Sequence, residues 1–263
     1  MTALATRLRA TSNSEWIKLR SVRSVPAVLV AIAAVMLLGS WIASAGYRAN
    51  WRQLSAAQQT SFDPTYTSLR GIDLAQLLVG ALGVLVVTGE YATGLIRITF
   101  SATPQRGQVL VIKATIFAAL VWVIVTALSV LAFFLGQRLL GSPAPHASMT
   151  DPGVLRAVLG GGVYLLLVAL FGLALGTVFR ATAAALSALF GILLVLPLVV
   201  RLFTSNIADH IAPYLPSNAG GQFWQVVRAD PQALGPWQGV GVFALYVVAT
   251  GAAAFVLIRK RDV

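Results

Sequence analysis

The sequence predicts an all-α polytopic membrane protein with six transmembrane helices and an amphipathic helix ahead of them. Three observations carry this. Of the 263 residues 58% are hydrophobic and only 10% charged, whereas a soluble domain has about a quarter of its residues charged. Mean hydropathy is +0.83. Apolar runs close to the ~20 residues that cross a hydrocarbon core recur six times along the chain. A soluble chain of this length would leave much of that apolar surface in water, a cost that a bilayer removes.

The elements follow in order. Residues 1–24 form a basic amphipathic stretch. Within it Trp16, Leu19 and Val22 recur at three-residue spacing, flanked by Lys18, Arg20 and Arg23. This pattern reads as a helix lying on the inner leaflet, apolar face down. It also reads as an ordinary basic flank of a first span. The spans run over Val25–Ala45, Ile72–Thr88, Ala114–Gly136, Ala157–Phe179, Ala183–Val200 and Val240–Ile258. The second is the shortest and is expected to extend past one end. No Lys, Arg or Glu stands in the middle of a span, and Asp73 sits at the edge of the second. The first apolar run follows a long basic stretch and lacks a short core with a small-residue cleavage site, so no cleavable signal is expected.

The chain carries a net charge of +11 with no cysteine. In a membrane chain a basic balance reflects cytoplasmic loops and anionic lipid rather than nucleic acid. Cytoplasmic termini put twelve Lys and Arg residues inside and seven outside. That excess orients the chain with both ends in the cytoplasm. Without cysteine there is no disulfide framework and no thiolate nucleophile or metal ligand.

The connections are unequal. Residues 46–71 and 201–239 form long polar loops on the outer side. The second holds Pro213, Pro216, Pro231 and Pro236 with Trp224 and Trp237, a mix suited to a segment dipping into the outer interface. Arg180–Thr182 is so short that the fourth and fifth spans form an antiparallel hairpin. Gly160, Gly161 and Gly162, and the Gly172/Gly176 pair, stand in an apolar run where small residues allow close helix contact.

Motifs for chemistry are missing. The three lysines, Lys18, Lys113 and Lys260, follow no glycine, so there is no ATP-binding loop. His146 and His210 fall in separate outer loops without neighbouring ligands, which argues against a metal site. No Gly-x-Ser-x-Gly elbow occurs. A proton-coupled pump needs charged groups at membrane depth, and a secondary transporter often shows inverted repeats; neither is found.

The informative stretch is the inner segment 89–113 between the second and third spans. It runs from Gly89, Glu90 and Tyr91 through Gly94, Arg97, Pro104, Arg106 and Gly107 to Lys113. It reads as two short helices broken at Pro104–Gly107, an elbow presenting a compact cytoplasmic surface, or as a routine solvated loop. Glu90, the one acidic residue in the loops between spans on that side, is expected to hold Arg97 or Arg106.

The chain resembles the permease subunits of ABC-2 type exporters, the short six-span kind common in actinobacteria. The residues that carry this are Glu15, Lys18, Leu19, Arg20, Ser21, Arg23 and Ser24, then Glu90, Gly94, Ile96, Arg97, Pro104, Arg106, Gly107 and Lys113. Leu215–Gly220 and Arg259–Asp262 add to it, over nearly the whole chain of residues 1–263, a single permease domain. Leu95 departs from the pattern, standing where Thr is frequent.

The resemblance implies a dimeric pathway in a bacterial plasma membrane, a homodimer or related heterodimer that binds two ATPase subunits from below. ATP and Mg²⁺ would belong to those partners, and this chain would hold no cofactor and be no enzyme. Residues Glu90, Tyr91, Gly94, Arg97, Pro104, Arg106 and Gly107 would form the coupling surface. The amphipathic stretch with Glu15, Trp16, Lys18, Arg20 and Arg23 would help contact the ATPase. The cargo would be a drug, a peptide or a lipid-like molecule. A non-transporting membrane anchor, immunity or signalling protein is the alternative, and a lipid-directed membrane enzyme lacks the His, Asp or Ser cluster it would need.

Overall fold

The computed structural model describes residues 24–95, 106–203, 209–227 and 232–260. The described residues are helices and turns, without a strand. The helices are α1 (Ser24–Asn50), α2 (Ala56–Thr60), α3 (Pro64–Ser68), α4 (Ile72–Ala92), α5 (Arg106–Leu140) and α6 (Val154–Phe179). Then come α7 (Thr182–Phe190), α8 (Leu196–Val200), α9 (Pro216–Gly221) and α10 (Pro236–Lys260). Among the described residues six helical runs are long and apolar enough to cross a membrane: α1, α4, α5, α6, the joined run Thr182–Val200, and α10. Each overlaps one of the apolar runs read from the sequence. The second span does extend, ending at Ala92.

Two boundaries differ from expectation. Gly107–Lys113 is no separate short helix but the first turns of α5, a continuous helix of 35 residues. At 1.5 Å per residue α5 is about 52 Å long, well beyond a ~30 Å hydrocarbon core. Nothing in Gly107–Leu140 breaks it, because no proline falls in this run. The fifth span, by contrast, is interrupted: Gly191–Val195 is a π-turn between α7 and α8. Pro197 has no N–H for the carbonyl one turn back, so the ladder slips its register there.

Packing centres on α6. Its apolar window is 72% buried, against 17% for α10. Glycine lets α4 lie directly on it. A Cβ on Gly172 would strike the Gly80 carbonyl, and one on Gly83 would strike the Ala169 carbonyl. Gly161 and Gly162 are closed off by Ile72, Ser129 and Thr126. The glycine-rich runs therefore serve backbone approach, which makes dispersion contact dense where no apolar driving force exists between helices in lipid. Arg180 ends α6 with φ of 57° and turns the chain straight into α7, forming the expected hairpin. Outward, Val30, Leu38, Ile42, Val123, Leu131, Leu198 and Leu245 are exposed. These side chains form the apolar surface that lipid would cover.

The chain ends fix two faces. Gly107 lies against Phe255 near the end of α10, and Glu90 at the end of α4 reaches Lys113 in α5. This is the terminal face. At the far face Arg48 reaches the Leu139 carbonyl, and residues 46–71, 209–227 and 232–235 fold over the helix ends.

Candidate functional site

At the terminal face one interaction dominates. Lys113 Nζ donates to Glu90 Oε1 at 2.8 Å, and the two side chains are only 5% and 10% exposed. Val87 and Tyr91 on α4, and Val109 and Ala114 on α5, close to the pair along the chain, belong to or pack against the buried core. Glu90 stays helical because α4 runs on to Ala92, where the chain turns out at Thr93 and then at Gly94, φ +70°. The Arg180 guanidinium lies over the Tyr91 ring at 5.4 Å, and the Thr182 hydroxyl bonds that of Thr88 at 2.9 Å. Both ends of the 89–113 segment are thus fastened, one to α5 and the α6–α7 link, the other to α10 through Gly107 and Phe255.

The sequence-predicted residues divide accordingly. Glu90, Tyr91, Gly94 and Gly107 lie at this face. Among the described residues Glu90 pairs with Lys113, and the partners expected from the sequence, Arg97 and the side chain of Arg106, lie outside them. Lys113 stands two turns into α5, and the continuity of α5 turns it back toward α4. Arg97, Pro104 and the side chain of Arg106 lie outside the described residues, as does the whole amphipathic stretch with Glu15, Trp16, Lys18, Arg20 and Arg23. Lys113 was legible as a lone lysine inside an apolar run, a placement that demands a partner.

The far face holds a second arrangement, which sequence reasoning missed. Asp63 is 8% exposed and caps α3, its Oδ1 accepting the Tyr66 N–H at 2.9 Å. Its Oδ2 accepts the N–H groups of Val226 and Val227 at 2.8 and 2.9 Å. One carboxylate thus staples the two long loops. Tyr66 stacks on Trp224 at 4.8 Å, and Arg156 donates to the carbonyls of Phe223 and Gln225. Gln137 joins the Pro64 carbonyl, the Ser68 hydroxyl and the Ala147 N–H. Asp63 directly before Pro64 is a helix-start signal that could have found the first of these.

Beneath this lid lies a cavity of about 950 Å³. Asp73, Gln76 and Tyr164 line it from α4 and α6, and Leu193, Leu194, Pro197 and Leu198 from the interrupted fifth span. Tyr164 donates its hydroxyl proton to Gln76 Oε1. Arg70 sits over the Tyr66 ring at 4.9 Å, donates to its oxygen at 2.7 Å and lies 3.5 Å from Asp73. Burial raises the Tyr66 phenol above its ordinary value, and the Asp73 carboxylate adds to this, so the phenol keeps its proton. α9 reaches the same depth: Gly220 packs on Tyr164 and Phe243, well inside α6 and α10. Among the described residues no three His, Cys, Asp or Glu side chains come together as a metal site would need.

No protein-family model matches the chain, and no curated protein matches it. The fold and these two faces define an all-α bundle with six helices long and apolar enough to span a membrane, clamped by a buried ion pair at one end and lidded at the other.

Proposed function

We propose that this chain is the membrane-spanning permease subunit of an ATP-driven exporter of the ABC-2 type. In this reading both termini are cytoplasmic, in a bacterial plasma membrane. A second permease copy completes the pathway. Two ATPase subunits, which hold ATP and Mg²⁺, dock on the terminal face. The observation that carries the reading is the buried Glu90–Lys113 pair. Motion passes only through elements packed at both ends. The 89–113 segment is fastened through this pair to α4 and α5, and through Gly107 to α10. Tyr91 and Arg180 extend the connection to the α6–α7 link. A push on the segment from nucleotide-driven closure therefore reaches five of the six spans as rigid-body motion. The cavity at the far face supplies a place for a drug, peptide or lipid-like cargo.

The test is co-expression with an ATPase encoded beside it, followed by co-purification and ATP hydrolysis across a cargo panel in reconstituted membranes. The expected result is a stable complex whose hydrolysis rises with cargo. Glu90→Ala and Arg97→Ala should keep the complex but lower transport, while Asp151→Ala in the exposed far-face loop changes little. Wild-type transport in both Glu90→Ala and Arg97→Ala would remove the segment from the coupling role. Absence of any ATPase partner would favour the anchor or signalling reading.

A further inference from the structure

The far-face cavity has a composition at odds with the rest of the chain. The protein carries 19 basic and 8 acidic residues, yet among the described residues the cavity is lined by Asp63, Asp73 and Asp209 and by one base, Arg201. Asp63 is committed to three backbone N–H groups, and Arg70, from outside the lining, offsets part of the Asp73 charge. The Asp73 side chain, 3.5 Å from Arg70, nonetheless remains 43% exposed. Aromatic rings share the cavity. Tyr47 and Phe62 meet at 5.0 Å and tilt to each other by 52°, leaving ring surface in the lining. Ring faces carry negative potential and attract a cation within about 6 Å of the centroid. The wall contributed by the fifth span is apolar, Leu193, Leu194, Pro197 and Leu198, while Gln58, Asn218, Gln222 and Gln225 add polar lining from the loops. Leu194 and Leu198 are 52% and 62% exposed, apolar surface that an alkyl chain could cover. This wall belongs to the π-turn and α8, the one irregular stretch among the spans, and such turns recur at functional sites. The volume lies at the upper end of the roughly 300–1,000 Å³ of small-molecule sites.

We propose that this cavity binds a monovalent cationic amphiphile, its ammonium group at Asp73 with the Tyr47 and Phe62 rings, its apolar chain along Leu194, Pro197 and Leu198. Binding needs no ATPase and stands apart from the exporter reading; that the ligand is cargo rests on that reading. The two fail separately. A chain that binds the cation but finds no ATPase keeps the site and loses the exporter role, and a working exporter without cation binding loses only the site.

The experiment uses the full chain in nanodiscs of zwitterionic lipid and radiolabelled dodecyltrimethylammonium, with empty nanodiscs subtracted for bilayer partition. Dodecyl sulfate tests the sign of the headgroup, and tetramethylammonium tests the need for the chain. The expected result is saturable binding of one dodecyltrimethylammonium per chain, with dodecyl sulfate and tetramethylammonium each competing at least about tenfold more weakly. Asp73→Asn should weaken binding about tenfold at an unchanged melting temperature. Ser61→Lys places a positive charge on the exposed rim, where only an exposed hydroxyl contact to the end of α2 is lost, and should weaken the cation while favouring dodecyl sulfate. Ser61→Lys carries the test if the Asp73 variant does not purify. Equal competition by dodecyl sulfate, binding no greater than in empty nanodiscs, or affinity unmoved by Ser61→Lys would overturn the proposal.

Discussion

Replacing Glu90 by alanine leaves Lys113 inside the helix packing without the carboxylate that lies 2.8 Å away. The structure decides the magnitude. An exposed pair of this kind is worth under about 1 kcal/mol, because water screens both charges. Here the side chains are 5% and 10% exposed, so water cannot take over the lost hydrogen bond. Breaking a buried pair from one side costs about 3–5 kcal/mol. Lys113 keeps further interactions and a long stem able to reach toward the helix end, which places the cost near the lower figure of about 3 kcal/mol. For a chain of this size that is roughly 6–12 °C in melting temperature. The assay is thermal unfolding of the detergent-solubilised chain, followed by size-exclusion chromatography, for Glu90→Ala, Lys113→Ala and a Glu90→Leu/Lys113→Met double variant. The double variant should recover most of the stability, since an apolar pair of similar volume removes both desolvated charges together. Its recovery should not extend to cargo-stimulated ATP hydrolysis, if the charged clamp is what transmits motion. Single variants melting within about 2 °C of wild type, or a double variant as unstable as the sum of the singles, would refute the buried-clamp argument.

Three further outcomes are expected. Gly172→Leu should abolish accumulation of folded protein, because its side chain would have to displace the Gly80 backbone; Gly191→Ala, with nothing within 4 Å, should be tolerated, as fluorescence-detected chromatography would report. Asp63→Ala strands three backbone donors and should cost about 2–4 kcal/mol, read as faster proteolysis near Val226 and Val227 at an intact terminal face. The chain has no cysteine, so single cysteines report topology: at Ser55 and Ser148, both exposed on the far face, they should label from outside intact cells, and at Gln105 they should not.

The sequence alone determined the all-α class, the six long apolar helices and their approximate ends. Span formation is local: in a bilayer every backbone polar group must be satisfied within its own helix, so a run of ~20 apolar residues declares itself without knowledge of neighbours. It also marked Gly172 and Gly176 as contact points, since small residues in apolar runs have few other uses. What it left open depends on partners far along the chain. Lys113 meets Glu90 because α5 is unbroken from Arg106, whereas Pro104 and Gly107 read as a break. Asp63 binds the N–H of Val227 at a separation of 164 residues, and backbone donors have no sequence signature. The cavity needs α4, α6, the π-turn and two loops at once, an assembly set by glycine-mediated approach of α4 to α6 rather than by any one segment. Hydropathy marks each helix as apolar enough to cross a membrane but says nothing of which helices touch, because lipid and protein interior are equally apolar; only tertiary packing decides that.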